Sequence, residues 1–547
     1  MNPTNPKRHG STKTEKNQED TSGRLPLISP APYTNKKDTT QPRNNQIAPL
    51  PDLPKTSPGN TKDPQAKDNN NSNEASTAEV EVLPKKVAYK HKSKTLNITR
   101  MLTLVLANYY FGYYIIMGGV LAPTLTELVY ELPEDERNQA TGYFGFLFAV
   151  GCIVSNILSG TLTRTFGRVK LILLMQVVQI ATCLIYRIEN LNVFLAMRFV
   201  SGLLAGLGIG LVPLVITELI PSDLTGYGGC LSYSCMCIFL VIGSIQSPLL
   251  GDKEGLENHW KNVLTWPLLI SAAVIILDFS TMFGVESPNY YYEQYADKEE
   301  VLKKKVLGYA KKFYTEESAE RFTCDFIAEK QRISLSSKTN KVTFRALVGP
   351  KYRKQFSLGC ILNVLQQMTG INFMLFFSTQ LFDDISGNGA FMTIVLAVGM
   401  LVGALTSVFV INKGRRPGML YSTIILVLSL VLMVFAIRYE NAVLASIGMF
   451  LYVLSFALGF ASIFIVYIVE ILPPAGAGLA FSTQWISAAV LGLIGAPMLD
   501  LVGIEAIVIF FIACTAIACL IMWLFCYETS GKTEEEIRNA FIGVKSL

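Results

Sequence analysis

Long apolar stretches alternate with short polar connections along most of this sequence. Twelve stretches of about 20 mostly apolar residues follow residue 100, and a helix of that length crosses the hydrocarbon core of a bilayer. They lie near 101–124, 141–162, 169–187, 191–217, 226–249, 264–285, 355–382, 389–411, 418–437, 442–469, 479–499 and 505–526. Six precede a polar stretch at 286–354 and six follow it. The pattern predicts an all-α membrane protein with 12 transmembrane helices, here called spans 1 to 12.

The polar segments divide the chain further. Residues 1–95 contain no long apolar stretch and are rich in Asn, Thr, Ser, Pro and Lys. Such a segment buries too little apolar surface to offset its chain entropy, so we expect it to be disordered. The predicted organisation is a tail at 1–95, a six-helix bundle at 96–285, a linker with short helices at 286–354, a second six-helix bundle at 355–526 and a second tail at 527–547.

Lys and Arg near the spans indicate the orientation, because cytosolic connections carry an excess of both. One side collects the basic segment before span 1, residues 164–170, the Lys-rich 286–354 stretch and residues 413–416. The other side has the acidic turn 131–136 and Asp500. Both tails and the linker are therefore predicted to be cytosolic, with the spans in contact with a lipid bilayer.

Composition excludes several classes of protein. Only 16% of the 547 residues are charged, whereas a soluble protein has about 25%. The net charge of +5 is small, so we expect no nucleic-acid partner. The three His and ten Cys show no zinc-binding spacing, and we find no nucleophile–base pattern or phosphate-binding loop. We therefore expect neither an enzyme nor a bound cofactor or metal.

The two halves of the chain repeat each other. A Gly-Arg pair follows span 2 at Gly167 and span 8 at Gly414, 247 residues later. A glutamate ends span 4 at Glu218 and span 10 at Glu470, 252 residues later. A nearly constant offset between two independent motifs indicates duplication, and repeated halves with a site between them are typical of secondary transporters.

Several motifs, in order, resemble the sugar porter family of the major facilitator superfamily, which includes the facilitative glucose transporters. They occupy residues 160–168, 198–202, 212–218, 285–288, 366–372 and 527–533. The most specific is Gln366-Gln367-Met368-Thr369-Gly370-Ile371-Asn372 in span 7. The resemblance covers about residues 100–540. It implies two six-helix repeats that move a hexose or related solute by alternating access, in the plasma membrane or else in an internal membrane. The oligomeric state is not implied.

The candidate substrate site begins with amides in span 7. A sugar is a ring of hydroxyl groups, and an amide side chain offers both a donor and an acceptor to them. Gln366, Gln367 and Asn372 supply three such groups. Hydrogen bonding between helices is the alternative explanation for each of them, and the surrounding family motif favours substrate contact.

Aromatic and polar residues elsewhere complete this candidate site by resemblance. Trp485 in span 11, preceded by Gln484, matches a family tryptophan that covers the sugar ring. Tyr113 matches a motif of span 1, and Tyr233 stands where the family has a glutamine in span 5. Plain packing is the alternative for Trp485 and Tyr113.

The resemblance also implies a gate of ion pairs between helices that holds the outward-open state. The candidate gate residues are Arg168, Glu218, Arg415, Arg416, Glu470 and Arg198. The positive-inside rule explains the arginines equally well, but it does not explain acids at the same place in both halves. Arg198 and Asp278 are the charged residues deep in the spans. We interpret Asp278 as a hydrogen-bond anchor, with a proton carrier as the alternative.

The chain departs from the family in both regions. Apolar or small residues replace polar family positions at Gly399, Ala457 and Ala488, and Ile465 replaces a sugar-contacting tryptophan of the family. The gate also lacks arginines at Thr225, Asn289 and Ala477. Each lost hydrogen bond costs about 1–3 kcal/mol, so ordinary hexose binding would be weakened unless Tyr233, Gln484 and Trp485 compensate. Tyr114 also replaces the span 1 acid of proton-coupled members. Two hypotheses follow: facilitated diffusion of a sugar or sugar-like solute, or a transporter-derived sensor or partner protein that no longer transports.

Overall fold

Helices make up almost all of the computed structural model, which describes residues 89–249, 260–337, 344–377, 388–410, 413–532 and 534–542. Most of the tail predicted at 1–95 lies outside these residues. Within them no strand occurs, and an isolated β-bridge pairs His91 with Tyr314. The helical character of the described residues agrees with the predicted all-α class.

The first half contains spans 1 to 6 in chain order. Their helices are Lys94–Leu106 and Tyr109–Thr124 (span 1, followed by a π-helical turn Leu125–Val129), Glu134–Phe166, Arg168–Ile185, Leu191–Leu219, Ser222–Leu249 and Thr265–Met282. The described residues of the linker, which exclude 338–343, contain four helices: Pro288–Tyr295, Glu299–Phe313, Glu316–Ser337 and Phe344–Val348.

The second half contains spans 7 to 12. Its helices are Arg353–Gln367 and Ile371–Phe376 (span 7), Gly389–Val410, Arg415–Arg438, Ala442–Phe456 with the π-helix Ala457–Ile463 and Phe464–Ile471 (span 10), and Pro474–Phe525, followed by Glu534–Ile542. A non-helical Gly503, with φ of +74°, divides Pro474–Phe525 into spans 11 and 12.

The twelve predicted stretches fall on these helices, apart from residues 378–382 and 411, which lie outside the described residues. In the described part of the chain, eleven helices are long and apolar enough to cross a membrane. The twelfth stretch, span 5, holds a shorter apolar segment, Leu231–Gln246, inside the helix Ser222–Leu249. The prediction of a multi-span helical membrane protein is therefore confirmed.

Small residues in spans 2 and 11 let the two halves approach each other. A Cβ added at Gly145 of span 2 would lie 2.5 Å from the ring of Phe376 in span 7, and one added at Gly492 of span 11 would lie 2.8 Å from the main-chain nitrogen of Phe146. Glycine is required where backbones or rings come this close. Of the candidate substrate residues, Asn372 of span 7 and Trp485 of span 11 lie on helices that make this contact between the halves.

Candidate functional site

A break divides span 7 within the motif that contains the candidate amides. The first helix ends at Gln367, and Gly370 has φ of +91°, in the left-handed region that glycine tolerates. A Cβ at Gly370 would lie 2.4 Å from the ring of Phe511. The Tyr452 hydroxyl donates to the Thr369 carbonyl at 3.0 Å. The break is thus fixed by a glycine and by contacts from two neighbouring helices, spans 10 and 12.

The three amides of span 7 are joined in one hydrogen-bonded chain. Gln366 Nε2 donates to the carbonyl of Phe460 at 2.8 Å, in the π-helix of span 10. Gln367 Nε2 donates to Gln366 Oε1 at 3.4 Å, and Asn372 Nδ2 donates to Gln367 Oε1 at 2.7 Å. All three side chains are buried. Because the helix breaks at Gly370, Asn372 reaches Gln367, from which it would diverge on a straight helix.

The aromatic candidates have different surroundings. Trp485 is buried and meets the ring of Phe111 edge-on, with the ring centroids 5.5 Å apart, so it joins spans 11 and 1. The Tyr113 hydroxyl lies 2.6 Å from Gln246 Oε1 and 2.5 Å from the carbonyl of Val263, inside the first half.

The remaining two candidates are half-buried. Tyr233 lies in span 5 and Gln484 in span 11. Among the described residues, no hydrogen bond joins either side chain to the amide chain of span 7. The structure therefore brings Gln366, Gln367 and Asn372 together and leaves the other candidates without a direct bond to them.

Charged side chains of the first half gather where span 2 ends and span 3 begins. Arg168 Nε donates to Glu218 Oε2 at 3.1 Å, and Arg168 Nη2 donates to Glu293 Oε1 of the first linker helix at 2.8 Å. The Ser287 hydroxyl also donates to Glu218 Oε2. Since the Arg168 side chain is only 5% exposed, this pair is shielded from water.

A buried glutamate caps the helix of span 3. Glu286 Oε1 accepts hydrogen bonds from the main-chain nitrogens of Arg168 at 2.9 Å and Val169 at 3.1 Å. Gly167, with φ of +89°, turns the chain so closely that an added Cβ would lie 2.5 Å from Glu286 Oε2. A negative charge at a helix N-terminus is favourable because the free N–H groups and the helix dipole point towards it.

The second half repeats this arrangement. Arg415 Nη2 donates to Glu470 Oε1 at 3.0 Å, and the Thr529 hydroxyl donates to Glu470 Oε2 at 2.6 Å. Glu528 accepts from the main-chain nitrogens of Arg415 at 2.8 Å and Arg416 at 3.1 Å. Burial by itself would raise the pKa of Glu528, but the main-chain N–H groups around the carboxylate outweigh it and lower that pKa.

Sequence reasoning missed the acids and hydroxyls that complete both clusters. Glu286 and Ser287 in the first half correspond to Glu528 and Thr529 in the second, and each pair is 242 residues apart. An acid followed by a hydroxyl residue therefore stands after the last span of each half, and this repeat could have indicated from the sequence that both pairs belong to the clusters. The ion pairs Arg168–Glu218 and Arg415–Glu470 each lie within one half, and Arg168–Glu293 joins the first half to the linker.

The other two candidate gate arginines bind carbonyl groups. Arg416 Nη2 donates to the carbonyl of Trp523 at 2.7 Å. Arg198, fully buried, donates from Nε to the Phe144 carbonyl at 3.0 Å and from Nη1 to the Tyr114 carbonyl at 2.8 Å. Arg198 therefore ties spans 1, 2 and 4 together, and in the described part of the chain it forms no ion pair.

Asp278 corrects an expectation from the sequence. Its side chain is buried in span 6, and both carboxylate oxygens lack a hydrogen-bond partner within the described residues. The interpretation of Asp278 as a hydrogen-bond anchor is therefore wrong for this conformation. No donor on the neighbouring helices reaches the carboxylate, which the sequence could not reveal.

Comparisons with known proteins agree with this architecture. Residues 100–541 match the family described as sugar (and other) transporter. The chain is 29% identical to the solute carrier family 2, facilitated glucose transporter member 2 of Gallus gallus, over 77% of this chain and 80% of that protein. It is 26% identical to plastidic glucose transporter 4 of Arabidopsis thaliana, over 79% of this chain and 78% of that protein.

Solved structures show the same fold. The xylose transporter XylE from E. coli, in a partially occluded inward open conformation, superposes with a TM-score of 0.66 at 19% identity, over 80% of this chain and 100% of that one. At this identity the likeness establishes the fold, which is that of the major facilitator superfamily. With the family match extending over most of its length, this chain belongs to the sugar (and other) transporter family.

Proposed function

We propose that this protein moves a hexose or a closely related sugar across a membrane by alternating access and facilitated diffusion. The observation that carries the proposal is the joined amide chain of Gln366, Gln367 and Asn372 beside the break in span 7. The match to sugar transporters supports it. Irregular backbone in a span is tolerated where it is buried in protein or lines a cavity, and transporters of this kind bind substrates at such breaks.

The amide chain is suited to a polyhydroxyl ring because its geometry is set before the sugar arrives. The bond from Gln366 to the Phe460 carbonyl fixes one end, so less side-chain entropy is lost on binding. Asn372 Oδ1 accepts no hydrogen bond within the described residues and is available to a sugar hydroxyl. Trp485 covers the apolar face of the ring, and Gln484, Tyr233 and Tyr113 contribute at its edge.

The ion-pair clusters act as the gate in this proposal. One ion pair in each half joins the ends of two helices into a rigid unit. The pair is Arg168–Glu218 between spans 3 and 4, and Arg415–Glu470 between spans 9 and 10. In the outward-facing state these ends close against each other, with Arg416 and the linker helices between them. Arg198 holds spans 1, 2 and 4 together while the halves rotate.

The proposal includes the orientation and the membrane. Both termini and the linker face the cytosol, in accordance with the distribution of Lys and Arg. The protein resides in the plasma membrane, and an internal membrane is the alternative, which the names of the plastidic relatives support. Thiol labelling from the two sides of the membrane distinguishes these arrangements.

Reconstituted protein tests the transport proposal. Proteoliposomes should show saturable uptake and counterflow of a hexose, pentose or polyol without an imposed ion gradient. Gln367→Ala should raise KM about tenfold or more, since losing hydrogen bonds at a buried site costs about 1–3 kcal/mol. Gln139→Ala, an exposed glutamine at the start of span 2, is the matched control and should leave KM unchanged.

Two results would contradict the proposal. Folded wild-type protein with no flux of any such solute would favour the sensor hypothesis over transport. Equal KM values for Gln367→Ala and Gln139→Ala, with transport intact, would exclude the amide chain as the substrate site while leaving the transport function standing.

A further inference from the structure

Unsatisfied polar atoms are concentrated in the interior of the first half. Asp278 in span 6, Tyr110 in span 1, and Gln176 and Gln179 in span 3 are each no more than 1% exposed. Both oxygens of Asp278, both amide atoms of Gln176, the Tyr110 hydroxyl and Gln179 Oε1 have no hydrogen-bond partner within the described residues. Folded proteins leave few such atoms without a partner or an ordered water, so this cluster requires a physical explanation.

Helix packing brings these residues into one region. Span 3 packs along span 6, and Gln176 lies one turn before Gln179 on the buried face of span 3. Asp278 lies on the buried face of span 6, and Tyr110 is within electrostatic range of it. At Gly208 of span 4, an added Cβ would meet both Met175, the neighbour of Gln176, and the Tyr110 ring at 3.6 Å.

Two basic residues on helices near Asp278, Arg100 and Lys312, donate their hydrogen bonds to main-chain carbonyl groups rather than to its carboxylate. Arg100 of span 1 donates from Nε to the carbonyl of Thr281 at 3.0 Å, one turn beyond Asp278, and from Nη1 to the carbonyl of Lys312 at 2.9 Å. Lys312 itself donates from Nζ to the carbonyl of Phe283 at 2.7 Å. No described Lys, Arg or His lies within 4 Å of the Asp278 carboxylate.

The other titratable groups facing this region are neutral and also occupied. The Tyr109 hydroxyl lies 2.8 Å from the carbonyl of Pro267. The Tyr114 hydroxyl and the Cys183 thiol share the amide of Gln179. A negative charge on Asp278 would therefore have neither a counter-charge nor a donor among the described residues, and an uncompensated buried charge is strongly unfavourable.

We propose that Asp278 is a proton-binding site of the first half, and that its protonated form stabilises the conformation described here. As a carboxylic acid, Asp278 can donate its proton to Gln176 Oε1, or through a water molecule to the Tyr110 oxygen, and so satisfy atoms that are otherwise unpaired. When the halves rotate and water or Arg100 reaches the carboxyl, the proton leaves to water. Protonation thus tunes the conformational equilibrium without driving the sugar.

The direction of the pH effect follows from linkage. A proton that binds more tightly in one conformation shifts the equilibrium towards that conformation as its concentration rises. Acidification therefore stabilises the described conformation and alkalinisation depopulates it. For one proton, the ratio of the two conformations changes by at most tenfold per pH unit.

Infrared spectroscopy tests the proton site independently of transport. Wild-type protein in lipid should show a carbonyl stretch from a protonated carboxylic acid, and Asp278→Asn should remove it. Asp297→Asn, which alters an exposed aspartate of the linker, is the matched control and should leave the band intact. Tyr110→Phe keeps the acid and should shift the frequency of the band, because the neighbouring hydroxyl is gone. Absence of the band in the wild type, or its persistence in Asp278→Asn, would overturn the proposal.

Transport provides the second measurement and rests on the proposed function. The wild-type rate of sugar exchange should vary with pH by up to tenfold per unit, while Asp278→Asn, which mimics the neutral acid, should be nearly independent of pH. If Asp278→Asn does not fold, Tyr110→Phe should still displace the wild-type pH profile. Identical pH profiles in the wild type and a folded variant would refute the regulatory role, whereas a lack of flux in all of them would refute the proposed function instead.

Discussion

Replacing the buried cap of span 3 by its uncharged analogue is a direct test of how the first ion-pair cluster is held together. Glu286→Gln preserves the shape of the side chain and removes the charge. Glu286 is 3% exposed, and its Oε1 accepts from the nitrogens of Arg168, Val169 and Ser287 at 2.9, 3.1 and 2.9 Å. Lys170 donates to the other oxygen, Oε2, at 3.4 Å.

The expected loss can be worked from these bonds. A hydrogen bond to a charged group contributes about 1.5–3 kcal/mol, against about 0.5–1.5 kcal/mol for a neutral one. A glutamine oxygen in the place of Oε1 keeps three bonds but makes each of them weaker by about 1 kcal/mol. The NH₂ group of the glutamine replaces Oε2 and cannot accept the hydrogen bond from the main-chain nitrogen of Lys170. The favourable interaction of the negative charge with the helix dipole, about 0.3–1 kcal/mol, is also lost. The free energy of unfolding should therefore fall by about 3–4 kcal/mol.

Denaturant unfolding in detergent, followed by tryptophan fluorescence, measures this change. The midpoint should move to lower denaturant with an unchanged slope, since the variant exposes the same surface on unfolding. Glu299→Gln makes the same chemical change at an exposed acid in the first turn of a linker helix and should shift stability by less than about 0.5 kcal/mol. A Glu286→Gln midpoint equal to that of Glu299→Gln would refute the account of the cap.

Two other predictions concern the second cluster and the topology. Because the pKa of Glu528 is lowered on folding, its contribution to the free energy of unfolding is complete above about pH 4.3 and is lost as the pH falls further. Glu528→Gln should therefore make the stability of the protein less sensitive to acid. An acid-unfolding profile equal to that of the wild type would contradict this prediction. Exposed Cys324 of the linker should react with a membrane-impermeant maleimide only in permeabilised cells, whereas Glu136→Cys should react in intact cells. The reverse pattern would invert the orientation, and no labelling of intact cells would favour an internal membrane.

The sequence alone determined the spans, their number and the fold family. A bilayer admits only backbone whose polar groups are satisfied within the segment, so about 20 apolar residues in a row can form little else than a helix. The sequence also indicated that the two halves are repeats, since the Gly-Arg and glutamate motifs recur at a nearly fixed offset. The shorter apolar segment of span 5 and the broken helices of spans 7 and 10 required the structure, because hydropathy does not register a local change of helix type.

Tertiary structure decided which polar groups meet. Arg168 and its cap Glu286 are 118 residues apart, and Arg415 and Glu528 are 113 apart, so no local pattern could pair them. The break at Gly370 brought Asn372 to Gln367, although their spacing on a straight helix places them on different faces. Asp278 shows the converse: its sequence position indicated a buried acid, but only the packing of spans 1, 3 and 6 left its carboxylate without a partner. Hydrophobicity is a property of each residue and can be read in order along the chain, whereas hydrogen bonds and charge compensation belong to pairs that the fold alone brings together.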